Sequence, residues 1–207
     1  MTFGPSGSHE RTEYVDRLPF DYLQTSVEET GPTTVGPACI TDGPGIARAH
    51  VLASRAAYRD LPGAKANLDE FLVSDLGPRK IADWSELATS GDPGLLVAST
   101  VGGIVAGFIW VSMSDDGSGA INSWYVHPNW HGDGVGRDLM RAGLDQLGNV
   151  GVYTETIHGT AAVDRYQRYG FTILEGLRDT PRPLREAGIY APLVALKRPA
   201  LESISSI

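Results

Sequence analysis

Val126–Met140, VHPNWHGDGVGRDLM, is the most informative stretch of this 207-residue chain. A β-rich run ends at Val126, Pro128 halts it, and a glycine-rich turn then opens an amphipathic helix. Glycines 132, 134 and 136 let the backbone adopt conformations closed to other residues and let a ligand approach the peptide groups. The first N–H groups of a helix have no internal partner, and the aligned peptide dipoles leave partial positive charge there. Such a turn suits a phosphate or pyrophosphate. Two familiar phosphate loops fit poorly. A P-loop ends in Gly-Lys-Ser/Thr, whereas Gly136 is followed by Arg137 and Asp138. A dinucleotide fingerprint wants Gly-x-Gly-x-x-Gly inside a βαβ unit, and here the spacing is Gly-x-Gly-x-Gly. The glycines alone are also compatible with a flexible turn that merely starts a helix.

Working outward, Val135, Leu139, Met140, Gly143, Leu144 and Leu147 share one side of the helix, and Gly148 is its expected stop. Upstream, Leu95–Ser99 and Ile104–Met113 are expected to pair antiparallel across the Thr100–Gly103 turn, followed by a strand at Ala120–Val126. Downstream, Val152–Ile157 is a strand, Thr160 caps a short helix running to Tyr169, and Phe171–Leu174 and Ile189–Leu196 are the last strands. Toward the N-terminus, Ala38–Thr41 is a candidate first strand, and Asp42 and Pro44 start a helix over Ile46–Tyr58. A helical region over Ala66–Thr89 is split by Gly77 and Pro78. Residues 1–36 mix Gly, Pro, Ser, Thr and charge without a period and are expected to form a loosely ordered arm before a single domain over 37–207. The pattern predicts an α/β fold, a mixed sheet covered by helices.

Composition narrows the partners. Seventeen basic against 25 acidic residues give a net charge of -8, which disfavours nucleic acid and anionic membrane surfaces. Cys39 is the only cysteine and is expected to be a buried small hydrophobe, so no intrachain disulfide forms. The N-terminus lacks the look of an export signal, and cytoplasmic residence is expected. Gly94–Met113 runs without a charge over the length of a membrane span, but its central turn and acidic flanks favour two strands. His127 and His131 are four apart, yet Pro128 keeps them off one regular helix, so no metal site is expected.

Val126-His127-Pro128 followed by His131-Gly132-Asp133-Gly134-Val135-Gly136 resembles the coenzyme A motif of the GNAT superfamily, Val-x-Pro and then Arg/Gln-x-x-Gly-x-Gly/Ala, with His131 in place of Arg or Gln. Ala162–Phe171, AVDRYQRYGF, is similar to the family's Ala-Ile-x-x-Tyr-Glu-x-x-Gly-Phe stretch, with Gly159 where Asn is frequent. The similarity extends loosely over residues 38–197. It implies the acyl-CoA N-acyltransferase fold, with a mostly antiparallel twisted sheet flanked by helices, and an acetyl-CoA cosubstrate. By the same resemblance, residues 131–137 (His131, Gly132, Asp133, Gly134, Val135, Gly136 and Arg137) grip the pyrophosphate, and a backbone N–H near Tyr125 or Val126 faces the thioester oxygen. Tyr166 stands where the family often places the acid for the departing thiolate; a core tyrosine, sharing a helical face with Val163, is the plain alternative.

The chemistry sets its own demands. A free alkyl amine with a pKa of about 10.4 is neutral only about one part in a thousand at pH 7.4, equivalent to roughly 4 kcal/mol, so a base or a shaped pocket is needed. Glu155, on the strand next to Ala120–Val126, is the candidate base, directly or through water; a solvated glutamate is the plain alternative. Arg178, Arg182 and Arg185 hint at an acceptor bearing a carboxylate, with a solvated loop as the plain alternative. The expected function is acetyl transfer to the primary amine of a small molecule, with a homodimer left open. A protein lysine or N-terminal amine is the alternative acceptor, and a non-catalytic acyl-CoA binding module is the alternative class.

Overall fold

The computed structural model describes residues 31–72 and 77–200. The strands are β1 (Thr33–Pro37), β2 (Leu95–Thr100), β3 (Val105–Met113), β4 (Gly119–Val126), β5 (Val152–Ile157), β6 (Thr172–Arg178) and β7 (Leu193–Arg198). The helices are α1 (Gly43–Tyr58), α2 (Ala64–Glu70), α3 (Gly77–Ser90), α4 (Val135–Leu147), α5 (Ala162–Gln167) and α6 (Arg182–Glu186). The strands form one sheet in the order β1-β2-β3-β4-β5-β7-β6, in which only β4 and β5 run parallel. This is the expected mixed, mostly antiparallel α/β fold. The uncharged stretch from Gly94 supplies β2 and β3, and among the described residues no helix is long and apolar enough to cross a membrane.

Each face of the sheet has its own core. On one face α4 lays Leu139, Met140 and Leu147 against Ile109, Val111 and Ile121, and Tyr166 and Phe171 extend the cluster. Gly143 permits this approach, because a Cβ there would stand 2.8 Å from Ile109 Cδ1. On the other face Ile46, Ala47 and Ala49 of α1 and Ile81 and Trp84 of α3 cover Val97 and Phe108. A third cluster joins α1 and α2 to β5 and the segment after α6 through Val51, Leu68, Leu72, Ile157, Leu184 and Ile189.

Several boundaries differ from the sequence reading. The first strand is Thr33–Pro37, not Ala38–Thr41: it is an edge strand, where Pro is tolerated, and Cys39 N turns to Asp42 Oδ2 at 2.7 Å instead of entering the sheet. Cys39 is exposed rather than buried, because that turn leaves the sheet. Residues 33–36 of the expected arm therefore belong to the sheet, while residues 1–30 lie outside the described residues. Ala161, not Thr160, is the N-cap of α5, since Thr160 Oγ1 donates to Ile157 O at 2.8 Å. The last strand starts at Leu193: Ile189 N is spent on Leu184 O at 2.8 Å, closing α6, and Pro192 has no N–H to offer.

Candidate active site

The sheet forks at its centre. Parallel pairing of β4 with β5 covers only Gly119↔Val152, Ala120↔Tyr153 and Ile121↔Thr154. Asn122 is an extra residue in β4, because Trp110 pairs with Ser123 while Val111 pairs with Ile121. A bulge bends its strand. Beyond it β5 stays with β7 as far as Ile157↔Leu193, whereas the rest of β4 stays with β3. Thr154 Oγ1 donates to Ile121 O at 2.9 Å and ties the fork. His127 N donates to Ala106 O at 2.8 Å, so the alternation of an antiparallel ladder turns the peptide groups of Trp124 and Val126 into the gap. It turns those of Tyr125 toward β3, so of the two N–H groups singled out in the sequence only that of Val126 points at the opening.

The glycine loop lies at one end of this gap. His127 Nδ1 accepts from Asn129 N at 3.1 Å, the 3-10 turn Pro128–Trp130 follows, and the buried Trp130 ring pins the loop. His131 Nε2 lies 3.0 Å from Val126 O. Both histidine rings are thus engaged with main chain, and among the described residues no cluster of three His, Cys, Asp or Glu could hold a metal. Gly132 and Gly134 have φ of 101° and 85°, and Gly134 is the N-cap of α4 with no side chain capping the helix. The first helical bond there is Asp138 N to Gly134 O, 3.0 Å, which leaves the N–H groups of Val135, Gly136 and Arg137 pointing out of the helix end. Asp133 and Val135 line a hollow of about 210 Å³ beside β1. Arg137 folds back on Asp138, with Nε 2.9 Å from Oδ1. This geometry fits a pyrophosphate at the loop and an extended chain in the gap.

A cleft of about 250 Å³ opens on the opposite face. Its α1 wall is His50, Ser54 and Tyr58, which lie at i, i+4 and i+8 on one side of the helix, facing Tyr125 of β4 and Glu155 and Thr156 of β5. His50 Nδ1 accepts from Trp84 Nε1 at 3.1 Å, and its ring lies 4.2 Å from that of Tyr125. Burial, reinforced by the charge of Lys80, pushes its pKa down to about 3. The neutral ring therefore carries its proton on Nε2 and acts as a donor. Burial pushes both phenols, Tyr58 and Tyr125, up, and the hydroxyls of Tyr58, Tyr125 and Ser54 lie near one another. Glu155 is held by Arg178 across the β5–β7–β6 edge, and Arg182 is paired with Glu186 on the surface.

Tyr166 lies on the glycine-loop face. Its ring packs edge-on against Trp124 and Phe171, each at 5.3 Å, and its hydroxyl reaches Thr154 at the fork. Burial pushes its pKa up to about 12. Tyr166 and Glu155 thus flank the gap from opposite faces.

The profile of the Acetyltransferase (GNAT) family matches residues 63–171, more than half of the chain. The chain belongs to the GNAT acetyltransferase family. It is 30% identical over 156 residues to a mycothiol acetyltransferase of Nocardiopsis dassonvillei, covering 66% of this chain and 44% of the relative. The chain spans between a third and a half of that curated relative's length. Its fold matches that of a histone acetyltransferase HPA2-related protein of Corynebacterium glutamicum, with a TM-score of 0.59, 19% identity, and coverage of 84% and 99% of the two chains. It also matches YncA of Salmonella typhimurium, solved with its cofactor acetyl-CoA, with a TM-score of 0.56, 21% identity, and coverage of 86% and 99%.

Sequence reading assigned no part in the site to the α1 wall of the cleft, His50, Ser54 and Tyr58. Their four-residue spacing along an otherwise alanine-rich helix is the signal that exposes them. Two histidines also set an acid limit on stability. Burial depresses the pKa of His127 to about 4, as it depresses that of His50 to about 3. Groups depressed on folding are stabilising while both states are neutral, above about pH 6.5, and that contribution is lost as pH falls toward the folded values. By pH 5 each costs about 2 kcal/mol. Denaturant unfolding at pH 7.5 and pH 5 is expected to show a loss of about 4 kcal/mol, with His50→Asn removing about half of it. A pH dependence unchanged by His50→Asn would show that this ring is charged in the folded state.

Proposed function

We propose that this chain moves the acetyl group of acetyl-CoA to a primary amine of a small molecule by direct attack on the thioester. The observation that carries this reading is the gap beyond Ile121 and Thr154, where β4 and β5 part between the glycine loop and the cleft. The outward N–H groups of residues 135–137 would hold the pyrophosphate, and the gap would hold the pantetheine chain. Acetyl-CoA, when bound, supplies an activated acyl group as a thioester. Val126 N–H donates to the acyl oxygen, whose negative charge grows as the amine nitrogen forms its new bond to carbon. The carbon–sulfur bond breaks, and Tyr166 returns a proton to the departing sulfur. The amine loses its own proton through water or Glu155, whose carboxylate Arg178 holds at the cleft. The cleft volume, about 250 Å³, lies below the usual range for drug-sized ligands, about 300–1,000 Å³, which favours a small acceptor over a peptide. A relative named for a small molecule, mycothiol, agrees with that class.

The test has two steps. Calorimetric titration with acetyl-CoA is expected to give heat. Thiol release is then compared across amino acids, polyamines, aminoglycosides and peptides, and small amines are expected to outpace peptides. An absence of heat would end the transferase reading, and a preference for long peptides would move the acceptor to proteins.

A further inference from the structure

Among the described residues that line the cleft, Lys80 and Glu155 are the two with formal charge, since the His50 ring is neutral. They enter from opposite sides. Glu155 comes from β5, beyond the fork, whereas Lys80 comes from the opening turn of α3, which packs over β2 and β3. In sheet order the strand that carries Tyr125 lies between them. The negative side is already matched, because Arg178 pairs with Glu155, and Arg182 is taken by Glu186.

The positive side is matched only loosely. Lys80 Nζ lies 3.0 Å from Asp83 Oδ2, whose side chain is 58% exposed, and 5.7 Å from the centroid of the Trp84 ring. Such an exposed pair holds a lysine weakly, and an ammonium has further N–H donors to give. Nor does the helix call for a cation here. A positive charge in the opening turn opposes the helix dipole, and the first turn of α3 holds no acidic residue. The charge of Lys80 is felt inside the cleft, where it reinforces burial in keeping His50 neutral. Phe71, Ile157, Leu184 and Leu193 add an apolar wall.

We propose that Lys80 Nζ receives a carboxylate of the acceptor, which is therefore an amino acid with an apolar side chain. This deepens the acyl-transfer reading of the cleft and rests on it. The amine then turns toward the gap and Glu155, and the side chain rests on the apolar wall. The amine nitrogen forms the amide bond as the carbon–sulfur bond breaks, and the carboxylate leaves unchanged on the N-acetylated product. A decarboxylated amine of the same skeleton leaves Lys80 with Asp83 alone. Lys80 is thus a specificity-determining residue.

The test pairs L-valine, L-leucine and L-phenylalanine with isobutylamine, isoamylamine and phenethylamine, their decarboxylation products, at pH 7.5. Wild type is compared with Lys80→Met, which keeps the apolar stem, with Lys80→Gln, and with Lys80→Arg, which keeps the charge. In thermal unfolding, with and without coenzyme A, the best of the three acids at ten times its dissociation constant is expected to raise the wild-type Tm by about 3–6 °C. Its amine at the same concentration is expected to do less. In thiol release, Lys80→Met and Lys80→Gln are expected to lower kcat/KM for that acid by about 10- to 100-fold, the worth of one charge-assisted hydrogen bond. They should leave kcat/KM for the amine within about twofold, and Lys80→Arg should restore most of the loss. Because the same ligands meet each protein, the different basicities of acid and amine cancel in the comparison. The proposal is overturned if no acid exceeds its amine in Tm shift, or if the excess survives in both uncharged variants. Calorimetry with acetyl-CoA keeps the two readings apart. Heat without an acid preference defeats the role of Lys80 alone, and no heat defeats the transferase reading and leaves the Tm shifts to judge the carboxylate site.

Discussion

Gly134→Val is expected to weaken acetyl-CoA binding by about a hundredfold or more while leaving a folded protein. Gly134 caps α4 at φ 85°, in the left-handed region, where a β-branched residue is strongly disfavoured. A Cβ there would meet only the flexible end of Arg137, Nη2 at 3.0 Å, so the damage comes from the backbone and not from a clash. Relieving the strain means rotating the peptides that aim the N–H groups of residues 135–137. Each hydrogen bond to a charged group is worth about 1.5–3 kcal/mol, and losing two gives a factor of about 10² to 10⁴. Gly117→Val is the control. Gly117 has φ 80° with open space around it, in the turn between β3 and β4, so its stability cost is similar and its effect on the coenzyme is nil. Calorimetric Kd values for the three proteins decide the matter, and wild-type affinity in Gly134→Val would take the pyrophosphate away from this loop.

The same comparison explains what the sequence could and could not disclose. The glycine loop is local: a strand end, two left-handed glycines and the apolar stripe of α4 lie within about twenty consecutive positions, so period and composition expose them. Strands β2 to β5 are equally local, each a β-branched or aromatic run bounded by a turn. The edge of the sheet is different. TTVGP at Thr33–Pro37 carries a Gly and a Pro and buries little, and only its pairing with β2 makes it a strand. The helix α6 is five residues in a Pro-rich segment, too short for a period to show.

The cleft was hidden for a related reason. Its walls come from residues 50, 54 and 58 on α1, 125 on β4 and 155 on β5, which only the folded sheet assembles. The alanine-rich helix around His50, Ser54 and Tyr58 also contributes to the core, with Ile46, Ala47 and Ala49 fully buried. The distinction rests on long-range contacts: His50 is fixed by Trp84, thirty-four residues on, and its ring lies against Tyr125 of β4. Glu155 was legible as a polar residue beside the reacting strand, but its ion pair with Arg178 depends on the β5-β7-β6 order, which no local pattern specifies.

Tyr166→Phe is expected to lower kcat by about a hundredfold, the lower end of what a positioned proton donor contributes, with little change in the KM for acetyl-CoA. The fold should tolerate it, because phenylalanine keeps the edge-on contacts to Trp124 and Phe171 and gives up only the hydroxyl at Thr154. The pKa of about 12 fixes how the defect depends on pH. A phenol raised that far holds its proton throughout an assay between pH 6 and 9, so the ratio of wild-type to variant rates should be flat over that range. It also constrains the step itself. Against a free thiol of about 8.5, such a phenol gives up its proton at a cost of roughly 5 kcal/mol. The transfer becomes favourable only where the sulfur's charge is equally poorly solvated, inside the gap beside the buried ring. Proton delivery must therefore accompany carbon–sulfur cleavage and not follow release of a thiolate into water. Wild-type turnover in Tyr166→Phe would assign the proton to solvent, and a rate ratio that changes between pH 6 and 9 would show that the phenol is less buried in the working enzyme than at the fork of this sheet.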